Sequence, residues 1–154
     1  MNRVFLFFFY SISYLIFNAQ NASFVVNGDA SDINITDENG NINCNCFQLT
    51  PNSPNKVGSV WNNNKIDLSS DITLEFKLYL GNNDGGADGV AFAFQQTNSN
   101  IGSSGEGMGM GGVSPSLIVF IDTYDNGVND PSYDHVSINK NGDFLHGSPN
   151  ELAS

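Results

Sequence analysis

The sequence predicts an all-β sandwich of antiparallel sheets, of Greek-key or jelly-roll type, and three observations carry that prediction. Apolar and polar residues alternate with period two in several segments. No segment of about twelve residues holds a helical period. The connections are clusters of Gly, Asn, Ser and Asp, such as "GNNDGGADG" and "NSNIGSSGEGMGMGG". Composition agrees: 16 glycines, 12% aromatic residues and only 14% charged residues describe a loop-rich folded chain, the reverse of a disordered one.

Taken in order, residues 1–20 ("MNRVFLFFFYSISYLIFNAQ") place Arg3 ahead of an apolar run from Val4 to Phe17, the layout of a secretory signal peptide, and are excluded from the fold. The remainder is expected to be secreted or displayed at the cell surface, with no membrane insertion after signal removal. Weak strand signals follow at 23–26 ("SFVV"), 46–50 ("CFQLT") and 57–66 around Trp61. Cys44 and Cys46 match no zinc or redox spacing. Two residues apart on a strand, they stand near the upper limit for a disulfide. A local bridge, pairing with cysteines beyond residue 154 and free buried thiols all remain open.

"ITLEFKLYL" (72–80) puts Ile72, Leu74, Phe76, Leu78 and Leu80 on one face and Thr73, Glu75, Lys77 and Tyr79 on the other, which predicts a half-buried antiparallel strand. "GVAFAFQQ" alternates Val90, Phe92 and Phe94 with Ala91 and Ala93, so close packing, or a shallow groove, is expected over the alanine face. "SLIVFIDTY" (116–124) is apolar on both faces and predicts a central strand with cover on each side. A strand at 135–139 runs into Asn141-Gly142, a strong hairpin signal. No returning strand is predicted after it. About seven strands fall short of a sandwich of roughly 200–250 residues. Residues 21–154 are therefore expected to be the N-terminal part of a domain.

Charge restricts the partners. Five Lys and Arg stand against 16 Asp and Glu, a formal net charge of −11. Such a surface repels phosphate backbones, which argues against nucleic acid, and suits cations and neutral polar ligands.

After the central strand, "DTYDNGVNDPSYDH" crowds Asp122, Tyr124, Asn126, Asp130 and His135 together. Calcium takes six to eight oxygen ligands from carboxylates, amides and backbone carbonyls, and these residues supply all three kinds. Strand alternation puts Asp122, Tyr124 and Asn126 on one side, and "NGVND" can return Asp130 to them. The helix-flanked calcium loop is rejected, because Tyr124 and Tyr133 occupy two of its ligand positions and a strand precedes it. A solvated Asp/Asn turn is the alternative.

Three segments in order, "LSSDITLEFKLYLGNNDGGADGVAFAFQQ", "GMGMGG" and "DTYDN" with "DPSYDH", resemble the L-type lectins across residues 23–145. The resemblance implies a concanavalin-like jelly roll that binds glycans through a calcium-organised pocket. It implies that Asp88, following a cis peptide after Ala87, accepts hydrogen bonds from sugar hydroxyls, and that the Asn126 amide donates to the sugar. It assigns calcium to Asp122, Asn126, Asp130 and the Tyr124 carbonyl, and a backbone donor in the Gly-rich loop to Gly105, Glu106 or Gly107. The chain also departs from the family. Legume members carry a transition-metal Glu two residues before the first metal Asp, where this chain has Phe120. No manganese is expected on that account, and His135, having lost its co-ligand, is expected under the loop as a structural residue, with metal binding as the lesser alternative. Tyr124 and Tyr133 are candidates to stack on sugar faces, with loop packing as the alternative for Tyr133 and core packing expected for Trp61.

No enzyme is expected. The only glutamates are Glu38, Glu75, Glu106 and Glu151, and none sits with another acid in the clustered pattern of jelly-roll glycoside hydrolases. A calcium-stabilised adhesion module without sugar binding is the first alternative, and a jelly-roll glycoside hydrolase the lesser one.

Overall fold

The computed structural model describes residues 23–36, 38–40 and 42–154 and, among these, no side chain of 35, 36 or 42–45. The proposed signal peptide lies outside the described residues. Eight antiparallel strands and no helix appear among them, in three sheets. β1 (Phe24–Gly28) pairs β4 (Gly58–Asn62), and β2 (Ser31–Thr36) pairs β3 (Ile42–Gln48). β5 (Gly89–Gln95), β6 (Ser116–Asp122), β7 (His135–Lys140) and β8 (Glu151–Ala153) form the third sheet in that order. The all-β class follows from the period-two patterning, and β6 is central as its two apolar faces require.

The sheets pack as layers. In β6 the residues Ile118, Phe120 and Asp122 are buried, and on the same face lie Ala91 and Ala93, paired with Phe120 and Ile118. Short alanine side chains leave room for what covers them: Trp61 from β4, with Met108, Met110, Val113 and Phe144. Trp61 is thus a core residue, its indole N–H donating to the Ile101 carbonyl at 3.0 Å. The Phe24 ring meets that of Phe47 edge-on at 5.0 Å, joining the two smaller sheets. Cys46 is buried and disulfide-bonded, and no free cysteine remains among the described residues.

Four expectations are corrected. Residues 72–80 form no strand, apart from a single bridge at Lys77. The alternation survives only in part as facing: Leu74, Phe76 and Leu78 are half-buried, with Phe76 stacked on Phe92 at 5.2 Å, but Tyr79 is half-buried too and Ile72 and Leu80 are exposed. Alternation directs side chains; a strand also needs a neighbour to complete its ladder.

β2 and β8 are additional to the expected strands: "SDINIT" has only Ile33 and Ile35 as apolar residues, and "ELA" is three residues long. β8 supplies the returning strand thought absent. Asn141 and Gly142 take φ 62° and 70°, and Asp143 N donates to Lys140 O across them at 3.3 Å, so the tight turn forms. The chain then wanders through residues 143–150 before pairing.

β6 ends at Asp122, two residues early, because the Asp122 carboxylate accepts the Tyr124 N–H at 3.0 Å and turns the chain. Lastly, the two apolar faces of β6 call for cover on both sides, yet among the described residues the second face is covered only in part, by Phe76 stacked on Phe92 beside Val119. Leu117, Val136 and Ile138 are exposed there.

Candidate functional site

The site gathers where β5 begins, β6 ends and β7 begins. Gly89 and Asp122 are register partners, as are Asp122 and His135, so the ladder itself brings the first and last of these segments together. Gly89 is required: its φ is 136°, and a Cβ there would strike the Ile121 carbonyl oxygen and stand 3.1 Å from the Met108 sulfur. Met108 thereby seats the Gly-rich loop beside Asp88.

The Ala87–Asp88 peptide is cis, as the resemblance implies. The Asp88 carbonyl accepts the Thr123 N–H at 3.1 Å, and the Asp88 carboxylate accepts the Asn126 amide N–H at 3.1 Å. Asn126 N–H donates to Asp130 Oδ2 at 2.6 Å. Asp130 N–H in turn donates to the Gly127 carbonyl at 3.0 Å, closing the return turn. Hydrogen bonds thus link Asp88, Asn126 and Asp130, and the Asp122 carboxylate lies within electrostatic reach of Asp88 and Asp130. Burial pushes the Asp122 carboxyl up from its ordinary value, and the nearby charges of Asp130 and Asp88 add to the shift against the Tyr124 N–H and His135. A buried carboxyl among other carboxylates is stabilised in its charged form by a cation. The donors are all hard oxygens, with the Asn126 Oδ1 left over once its N–H is engaged, and this set fits calcium better than a soft metal.

The remaining candidates are held by contacts of their own. Gly105, Glu106 and Gly107 lie in a turn closed by Met108 N–H to Gly105 O at 2.8 Å and Met110 N–H to Gly107 O at 2.7 Å. Glu106 is exposed, and Gly107 packs its bare Cα beside Gly111 and the Phe144 ring. Tyr124 and Tyr133 are 44% and 71% exposed, and the Tyr133 ring also meets the His135 ring edge-on at 6.2 Å. They border an open depression with Asp84, Asp125 and Asp134, adjoining the cluster but not including Asp88 or Asn126.

His135 is not merely tucked under the loop. Its Nε2 faces His146 Nε2 at 2.7 Å, and Asp130 Oδ1 lies 3.9 Å and 3.7 Å from these two atoms. His146 Nδ1 meets the Glu151 carboxylate at 3.2 Å. Glu151 also accepts the Gly147 N–H, which chiefly holds its carboxyl below the usual range. His146 and Glu151 were not singled out from the sequence. The one available signal was two histidines eleven residues apart in a chain that has only two.

A model of the legume lectin beta-barrel domain matches residues 17–153. The chain is also 31% identical over 91 residues to the pesticidal crystal protein Cry22Aa of Bacillus thuringiensis. That match covers 58% of this chain and 13% of the other protein, so the chain spans a small part of its length. The family match, the antiparallel sheets and the joined Asp88–Asn126 pair agree, and the chain belongs to the L-type lectins, a family of carbohydrate-binding, non-catalytic domains.

Proposed function

We propose that the chain is a calcium-dependent glycan-binding module of an exported or cell-surface protein. The observation that carries this reading is the hydrogen bond from Asn126 to Asp88, which sets a donor-bearing amide beside a carboxylate at the rim of the oxygen cluster. Asp88 accepts sugar hydroxyls with its remaining lone pairs. The second Asn126 N–H donates to the sugar, and the Asn126 Oδ1 turns to the cation. Asp122, Asp130 and the Tyr124 carbonyl complete the residues that would hold calcium, whose charge offsets the crowded carboxylates. Gly105, Glu106 or Gly107 supplies a further backbone donor from the adjoining loop, and Tyr124 or Tyr133 an apolar face for sugar C–H groups.

The apolar run from Val4 to Phe17 behind Arg3 supports export, with residues 21–154 as part of the lectin domain. The acidic surface favours neutral glycans over nucleic acid. A glycan array probed with the full-length chain, in calcium and in chelator, tests the reading. Binding that vanishes with chelator is expected. Binding indifferent to chelator would remove calcium from it, and calcium-dependent melting without any glycan bound would leave an adhesion module.

A further inference from the structure

Asn126 is followed by glycine, and that pair carries a chemistry of its own. In an Asn-Gly sequence the glycine backbone nitrogen can attack the asparagine Cγ, because no Cβ on the glycine shields the nitrogen. A five-membered succinimide forms as the Cγ–Nδ2 bond breaks, and the amide nitrogen leaves as ammonia with the proton lost from the backbone nitrogen. Water then opens the ring at either carbonyl, which gives aspartate or isoaspartate.

Asn-Gly pairs occur at 27–28, 39–40, 126–127 and 141–142, and the fold treats them differently. A Cβ on Gly28 would strike the Val57 carbonyl oxygen, and one on Gly142 the Val113 nitrogen. Both backbones are walled in, and neither can turn to bring its nitrogen onto the side chain. At Gly127 a Cβ would meet nothing within 4 Å, and Asn126 and Gly127 are both exposed. Asn39 and Gly40, between β2 and β3, are exposed as well.

Polar contacts, not walls, restrain Asn126. Its side-chain amide donates to Asp88 Oδ1 at 3.1 Å, which holds Cγ in place. The attacking nitrogen is engaged too, since Gly127 N–H donates to Asp125 Oδ1 at 2.8 Å. A carboxylate on that N–H opposes loss of its proton, because the nitrogen anion would form against a negative charge. Conversion at this position undoes the site. Aspartate would face Asp88 as carboxylate against carboxylate, and isoaspartate would add a backbone methylene to the turn that Asp130 N–H closes on the Gly127 carbonyl at 3.0 Å.

We propose that Asn126 is a site of spontaneous deamidation, that Asp88 and Asp125 set its rate by holding Cγ and the Gly127 nitrogen apart, and that conversion irreversibly breaks the Asn126–Asp88 link. The loss of glycan binding that follows rests on the reading given above; the modification does not.

The test incubates the full-length chain in chelator at physiological pH and temperature. Peptide mass spectrometry reads amide-to-acid conversion at positions 27, 126 and 141, and an isoaspartate methyltransferase reads the second product. The folded parent should convert at 126 faster than at 27 or 141. Asp88→Ala and Asp125→Ala should each speed conversion at 126 by about 10-fold or more, the change expected when a hydrogen bond to a charged group is lost. Rates at 27 and 141 should stay at parental values, which separates release of Asn126 from general unfolding. Conversion at 126 no faster than at 27 and 141 in the parent overturns the proposal, as does a rate at 126 unmoved in both folded variants. If a variant fails to fold, the comparison of positions within the parent decides. The converted form, separated by its added charge on ion exchange, should no longer bind glycan. If it binds, the role of Asn126 in sugar recognition fails while the modification stands.

Discussion

Replacing the Asp88 carboxylate with an amide of the same shape isolates its charge. In Asp88→Asn the backbone anchor is untouched, because Thr123 N–H is held by the Asp88 carbonyl, not by its side chain. What changes is the acceptor 3.1 Å from the Asn126 amide, together with the acceptor offered to sugar hydroxyls. Hydrogen bonds to a charged group contribute about 1.5–3 kcal/mol, so glycan affinity should fall roughly 10- to 150-fold. Stability of the metal-free protein should not fall, since the Asp88 charge is one of those opposing ionisation of Asp122. Isothermal titration with the strongest glycan from the array, in saturating calcium, reads the first quantity, and thermal melting in chelator reads the second. A cycle with Asn126→Ala should show coupling of about 0.5–3 kcal/mol, as contacting residues do. Parental affinity in Asp88→Asn, with the fold intact, would refute the assignment of this carboxylate to sugar.

Calcium bound only to the folded chain should stabilise it by about 2.7 kcal/mol at a hundredfold excess over Kd, seen as a rise in melting temperature. Asp122→Asn should abolish that rise while melting no lower than the parent in chelator, because it removes a buried charge. Asp143 is held below its ordinary value of 3.8, chiefly by the Leu145 N–H and then by Asn150. Its contribution is present above pH 3.8 and lost as pH falls through the lowered folded value, so Asp143→Asn should flatten that part of the acid unfolding curve. Gly142→Ala puts a Cβ against Val113 N and 2.6 Å from Gly112 backbone atoms, at φ 70°. The left-handed conformation and the overlap should together cost about 2–5 kcal/mol in urea unfolding, and a cost below about 0.5 kcal/mol would contradict the packing described.

Local pattern determined much of this protein. The run at β6 is apolar on both sides, and it lies inside its sheet between β5 and β7, with the Ile118 and Phe120 face buried. Ala91 and Ala93 announced close cover, since small side chains bring layers together, and the sequence from Asp122 to Asp130 carried its oxygen donors at the spacing a returning turn can converge. Asn141-Gly142 specified a turn from φ preference alone. Pairing was beyond such patterns. Residues 72–80 alternate as a strand does, but hydrogen-bonded neighbours are supplied by other segments, and a chain's own period says nothing of them. The same reason hid His146 and Glu151. Eleven residues and a loop separate His135 from His146, and only the antiparallel pairing of β7 with β8 folds that loop back until the two rings face.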